Sequence, residues 1–203
     1  MENKERAEDQ LRLQNGLQKS KLVGDSFFQT FSLDEAPPVA AKGDARPQKW
    51  PLFIELVPQS SWGDNVRSRL KTSDWDRIRK AEYRRADYKC EICGGTGIEQ
   101  GCKWPVECHE IWDYNDRTHV QSLVRLIALC PKCHHAKHFG RAELMGDREE
   151  VIEHLMTVNQ WTRVDAERHV KDAMLTWDRR SRHPWTLELS WLEKNYGIVT
   201  PHD

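Results

Sequence analysis

The sequence predicts an α+β fold that is mostly helical and whose centre is closed by a four-cysteine metal site. Two motifs, Cys90-x-x-Cys93 and Cys130-x-x-Cys133, have 36 residues between them. Segments with the apolar spacing of helices lie on both sides of this pair, whereas stretches with strand composition are few and short. These observations predict a small core, held by the cysteines and inserted between packing helices.

Composition indicates one folded domain with extensions, or two small domains, in a chain of 203 residues. Hydrophobic residues make up 38% of the chain, so the core is modest and a structural metal becomes more plausible. No apolar run approaches the roughly 20 residues of a membrane span, and no segment resembles a secretory signal. We therefore expect a cytoplasmic, reducing location without a membrane partner, where six cysteines indicate metal ligands rather than disulfides.

Residues 1–48 are predicted to form a mobile N-terminal arm and linker. The first part of this segment is rich in charge, and the last part contains the prolines and small residues typical of linkers. Phe27, Phe28 and Phe31 interrupt the polar composition. We expect these aromatic residues to dock onto the folded domain or onto a protein partner, and the sequence does not distinguish the two.

Residues 49–200 are predicted to form a single domain. Ser73 with Asp76 three residues later resembles a capping box, which favours a helix start at this point. The elements predicted for the first part are a strand over residues 52–57 and helices over residues 62–70 and 74–86.

The C-terminal part of the domain, residues 147–196, is predicted to be largely helical. Apolar spacing indicates one helix over residues 147–158, and Thr162 is the expected N-cap of a longer one. Residues 185–189 alternate as a strand does, and we expect them to pair with residues 52–57.

The two cysteine motifs have the spacing of a structural zinc site. Two residues between sulfurs allow a tight turn to place both thiolates about 2.3 Å from one zinc ion. The predicted ligands are Cys90, Cys93, Cys130 and Cys133. Cys102 and Cys108 are surplus to this set and are expected to be inert buried thiols, although spacing alone leaves a zinc set that uses Cys108 open.

A second metal site is predicted from three histidines. His134 and His138 lie four residues apart, so on a helix they face the same point and suit a divalent metal. A short strand beginning near residue 106 would place His109 opposite them. His135 points about 100° away from His134 and is a better phosphate contact than ligand. The alternative for His109 is a buried, hydrogen-bonded polar residue.

This combination of motifs resembles the zinc-containing HNH endonucleases, which have a ββα-metal (HNH or treble-clef-like) core. The residues concerned are the first cysteine pair, the strand with His109-Glu110-Ile111, and the run from Cys130 to His138. The resemblance covers a zinc and metal core over residues 83–142 and implies hydrolysis of a nucleic-acid phosphodiester, preferably in double-stranded DNA. It also implies a catalytic Mg²⁺, Mn²⁺, Ni²⁺ or Zn²⁺ and a general base.

Residue by residue, the resemblance places His109 on a ligand position and Glu110 on the position of the base. The family motif usually has histidine as the base, so a shifted strand with His109 as the base is the alternative. The family commonly has asparagine five residues before the second cysteine pair, where this chain has Arg125. Asn115 in the connecting loop is the candidate substitute. The catalytic residues expected from the resemblance are therefore His109, Glu110 and His134.

Positive charge is concentrated before the first cysteine motif, although the net charge of the chain is only −1. A local basic face can contact phosphates that the total charge conceals. The predicted nucleic-acid contacts are Arg77, Lys80, Arg84, Arg85, Arg125 and Lys137. The near-neutral total also leaves two other classes open, namely a non-catalytic zinc module that binds nucleic acid or protein, and a subunit that needs a partner.

Overall fold

A β-hairpin followed at once by a short helix lies at the centre of the fold. The computed structural model describes residues 52–200, which form an α+β arrangement of seven α-helices and one three-stranded sheet. The strands are β1 (Glu107–Asn115), β2 (Val120–Leu129) and β3 (Thr186–Glu188). The helices are α1 (Val66–Arg69), α2 (Thr72–Arg85), α3 (Pro131–Lys137), α4 (Phe139–Met145), α5 (Arg148–Asn159), α6 (Arg163–Arg180) and α7 (Ser190–Tyr196).

The sheet has the order β1-β2-β3, with β1 and β2 antiparallel and β3 parallel to the start of β2. Glu107 pairs with Leu129 and His109 with Ile127, and a register shift follows at Ile111. Asn115 accepts hydrogen bonds from the backbone N–H groups of the turn that follows, so its side chain closes the hairpin. In this structure the Asn115 side chain therefore stabilises the hairpin turn.

Two apolar cores lie on opposite faces of the hairpin, because successive strand residues point to opposite sides. Ile127 and Leu129 pack with α3, α4 and α5 in the first core, which also contains three of the cysteines. Leu123 and Leu126 pack with α1, α2 and α7 in the second. The hairpin therefore presents His109, which pairs with Ile127, to the α3 side.

The predicted helices at the C-terminal end are confirmed. Helix α5 spans Arg148–Asn159, and α6 begins after Thr162, whose side chain accepts a hydrogen bond from the backbone N–H of Asp165 in a capping box. The helix predicted over residues 74–86 is present as α2, but Ser73 is not its N-cap. That helix begins two residues earlier, at Thr72, with Lys71 at the cap and no side-chain capping bond.

Two predictions for the start of the domain are wrong. Residues 62–70 contain only the short helix α1, because Asn65 caps the chain at that point and starts the helix there. Residues 52–57 have no regular secondary structure and belong to no sheet, and β3 pairs with β2 instead. Side chains of α5 and α6 hold this segment, since Asn159 bonds both backbone groups of Leu52 and His169 accepts from the N–H of Ile54.

The predicted arm at residues 1–48 lies outside the described residues. Within residues 52–200, no helix combines the length and apolarity needed to cross a bilayer.

Candidate metal centres

Four cysteines come together where β2 ends and α3 begins. The sulfurs of Cys90, Cys93, Cys130 and Cys133 all lie within 4.8 Å of one another. The Sγ atoms of Cys93 and Cys130 are 3.5 Å apart, too far for a disulfide and close to the separation of two thiolates bound to one zinc ion at about 2.3 Å. The group can therefore hold a metal such as zinc.

Local backbone geometry brings the first cysteine pair to the second. The N–H of Cys90 bonds the carbonyl of Gly95 to close a tight turn, in which Gly94 adopts φ +78°. The N–H of Glu91 bonds the carbonyl of Ala128 and fixes this turn to the end of β2. Cys130 follows as the N-cap of α3, with Pro131 in its first turn.

The chemistry of the sulfur cluster suits a cation. Hydrogen bonds from Cys133 and the other two thiols lower the pKa of Cys130, and the bonds with Cys130 raise the pKa values of Cys93 and Cys133, so without a metal one thiolate is shared among several thiols. The ring nitrogen Nε2 of His154 lies 3.2 Å from the sulfur of Cys133, where it could donate a hydrogen bond to that sulfur when a metal holds it as a thiolate. The sequence did not single out His154, because the residue is on α5 and far from either motif.

The surplus cysteines stay outside the cluster. Cys108 packs against the second apolar core, and burial raises the pKa of its thiol. Cys102 is partly exposed, and neither residue belongs to the four-sulfur group. The alternative zinc set that uses Cys108 is therefore not supported.

Three histidines meet on the α3 side of the hairpin. His109 on β1, His134 on α3 and His138 directly after α3 each offer a ring nitrogen, and these atoms lie within 4.8 Å of one another. The Nε2 atoms of His134 and His138 are 3.1 Å apart, close to the separation of two imidazoles on one ion at 2.0–2.1 Å. This cluster can also hold a metal.

Burial and carboxylates tune the cluster. His109 is only 5% exposed, and burial lowers its pKa to about 4, although Glu55 opposes this effect. Glu107 lies 2.5 Å from Nδ1 of His134, and its own pKa is lowered by that hydrogen bond. Neutral imidazole is the form that binds metals, and a carboxylate on the second ring nitrogen is the usual partner of a metal-binding histidine.

Glu55 is the site residue that the sequence did not indicate. Its Oε2 lies 3.3 Å from Nε2 of His109, and its Oε1 accepts from Nζ of Lys137 at 2.6 Å. Burial would raise the pKa of Glu55, but the Lys137 ammonium and the bond with His109 lower it to about 2. The only signal available was its place in an apolar stretch, 54 residues before His109.

Glu110 lies on the other face of β1 from His109. Its Oε1 accepts from the backbone N–H of Val66 at the start of α1, and burial raises its pKa to about 7. A cavity of about 180 Å³ at the free edge of β1 joins the two faces, since both Glu110 and His138 line it. Its apolar walls include Trp62, Trp112 and Trp177.

The predicted phosphate contacts divide into two groups. Glu91, whose side chain is 10% exposed, pairs with Arg85 and Arg125, and Lys137 pairs with Glu55 inside the protein. These three cations hold parts of the fold together. Arg77, Lys80 and Arg84 are exposed on α2, which packs against the hairpin face opposite the histidine cluster. His135 lies outside the cluster and pairs with Asp147.

No protein-family model, curated protein or solved structure matches this chain.

Proposed function

We propose that this protein is a metal-dependent endonuclease of the HNH type that hydrolyses phosphodiester bonds in nucleic acid, preferably double-stranded DNA. The observation that carries the proposal is the meeting of His109, His134 and His138. An antiparallel hairpin supplies one ligand, the helix directly after it supplies the second, and the residue that ends this helix supplies the third. This order of elements agrees with a ββα-metal core, and the four cysteines would close it as a structural zinc site.

In this proposal the three histidines hold the catalytic ion and leave coordination positions open for a phosphate. The ion, Mg²⁺, Mn²⁺, Ni²⁺ or Zn²⁺, would supply Lewis-acid stabilisation of the charge that develops at the phosphate. Glu107 orients His134 through Nδ1, which directs the other nitrogen of that ring to the cluster. The cysteine centre takes no part in the reaction and holds α3 in position beside β1.

Glu110 is the general base of this proposal. A carboxyl group with a pKa near 7 is poised to take a proton from water at neutral pH, which compensates for the absence of a histidine at this position. Glu110 and His138 line the same cavity, which is where the attacking water would be placed in this proposal. His109 is the weaker candidate for the base, because its ring nitrogens face the other two histidines and Glu55.

A plasmid-nicking assay with each divalent metal tests the proposal. His134→Ala should lower the nicking rate on the order of 100-fold, because a ligand is lost. His135→Ala is the matched control, because His135 follows His134 in the chain but its ring pairs with Asp147 outside the cluster. The zinc bound by the four cysteines should be the same in all three proteins. Equal rates in wild type and His134→Ala would contradict the proposal.

One observation favours a second candidate, a non-catalytic metal-binding module that acts with a partner. Three of the predicted phosphate contacts, Arg85, Arg125 and Lys137, are engaged in ion pairs with Glu91 and Glu55, which removes them from the set of cations that can bind a phosphate without losing a partner. Metal binding without nicking, together with DNA binding that is absent or unaffected by His134→Ala, would support this candidate.

A further inference from the structure

We infer that Glu55 is a positioning residue of the histidine centre, which fixes His109 so that its Nδ1 atom is the metal ligand. The inference rests on the metal centre of the proposed function and assigns it a component from outside the hairpin and α3. Glu55 belongs to the irregular segment at residues 52–57, which we call the N-terminal strap.

The hydrogen bond between Glu55 and His109 determines the tautomer. A carboxylate can only accept, so the proton of a neutral His109 ring must sit on Nε2, 3.3 Å from Oε2 of Glu55. The lone pair is then on Nδ1. Glu107 makes the corresponding contact with Nδ1 of His134, which leaves Nε2 of that ring as the ligand. Each of the two histidines thus has its own carboxylate.

Glu55 is itself held in place at two points. Its Oε1 accepts from Nζ of Lys137, and its backbone N–H donates to the carbonyl of the same lysine at 3.1 Å. Lys137 is 4% exposed and the Glu55 side chain is 31% exposed, so the buried lysine holds a carboxylate that is partly open to water. Lys137 also immediately precedes His138, which couples the strap to the end of α3.

Glu55 does not belong to the ligand set itself. The three histidine nitrogens all lie within 4.8 Å of one another, and no oxygen of Glu55 completes that group. A carboxylate in direct contact with one ring, and outside the shared ligand cluster, has the geometry of a partner that orients a ligand.

Two measurements on the full-length, zinc-loaded protein test the inference. The first is Co²⁺ affinity at the histidine centre, determined by titration against a competing chelator. Glu55→Leu should weaken Co²⁺ binding by about 10- to 100-fold, and Glu55→Gln, which keeps an acceptor oxygen, should recover part of it. The second is the ¹⁵N NMR spectrum of the His109 ring before and after addition of diamagnetic Zn²⁺ to this centre. Nδ1 should shift on metal binding while Nε2 keeps its proton.

Asn159→Ala is the matched control, because it loosens the strap at Leu52 without touching Glu55 or His109. Its Co²⁺ affinity should equal that of wild type. An equal loss in Asn159→Ala and Glu55→Leu would overturn the inference, as would Nε2 coordination in the NMR spectrum or an unchanged affinity in Glu55→Leu. A wild-type protein that binds no second metal would overturn the metal centre as well. Glu55-dependent binding without nicking would refute only the nuclease function.

Discussion

Glu91 is expected to be a stabilising residue of the first cysteine turn, and its replacement by glutamine provides a quantitative test. Its carboxylate accepts two hydrogen bonds from Arg85, one from Arg125 and one from the backbone N–H of Ala128. These bonds join the cysteine turn to α2 and to β2. Its pKa is lowered because these partners outweigh the effect of burial.

The magnitude follows from burial and bond type. The Glu91 side chain is 10% exposed, but Arg85 and Arg125 are 45% and 37% exposed, so water screens the guanidinium groups. Bonds to a charged group contribute about 1.5–3 kcal/mol when shielded and much less when exposed. Glu91→Gln keeps the shape and loses the charge, so we expect a loss of about 2–3 kcal/mol in the free energy of unfolding.

Urea and thermal unfolding in zinc-containing buffer measure this loss. For a domain of this size, about 2–3 kcal/mol corresponds to a decrease in Tm of roughly 4–12 °C. Arg84→Ala is the control, because Arg84 is exposed on α2, and it should change stability by less than about 0.5 kcal/mol. An equally small change in Glu91→Gln would show that the cluster is ordinary solvated surface pairing and would refute the reasoning.

Three further predictions concern the cysteine site, the first apolar core and a buried histidine. Removal of metal with a strong chelator, or Cys133→Ser, should abolish the cooperative unfolding transition, because a buried metal site contributes to the free energy of folding. Circular dichroism monitors this transition, and a transition like that of the native protein would contradict the prediction. Leu155→Ala should cost about 2–5 kcal/mol in urea unfolding, because Leu155 is fully buried, whereas Leu175→Ala, at 52% exposed, should be nearly neutral. Burial lowers the pKa of His169, so the unfolded state binds the proton more strongly and stability should fall as pH falls below about 6.5. His169→Gln should reduce this pH dependence. The test is to compare the difference in the free energy of unfolding between wild type and variant at pH 7 with the same difference at pH 5.

The parts of the site that depend on local spacing could be predicted from the sequence. Cys-x-x-Cys turns and histidines four apart on a helix have a geometry that the intervening residues almost fix, and both clusters are present. The helices after residue 147 were predictable for the same reason, since their apolar periodicity and the Thr162 cap are local signals.

The parts that depend on distant contacts could not be predicted. The strap has strand composition, but its backbone groups bond side chains of Asn159 and His169 instead of a neighbouring strand, and no local pattern indicates this. The same applies to Glu55, whose role depends on the packing of the strap beside α3. The roles predicted for Arg85 and Lys137 ignored Glu91 and Glu55, because charge counts do not show which cations already have buried partners.

Cys133 and His134 are consecutive residues in the first turns of α3. The geometry of the histidine cluster therefore depends on the cysteine cluster. A metal bound by the four cysteines would fix the position of α3 and with it the direction of the His134 and His138 side chains. Metal binding would then be ordered: zinc would have to bind the four cysteines before a second ion could bind the three histidines. Depletion of zinc would then abolish metal binding at the histidine cluster, although its three ligands are unchanged.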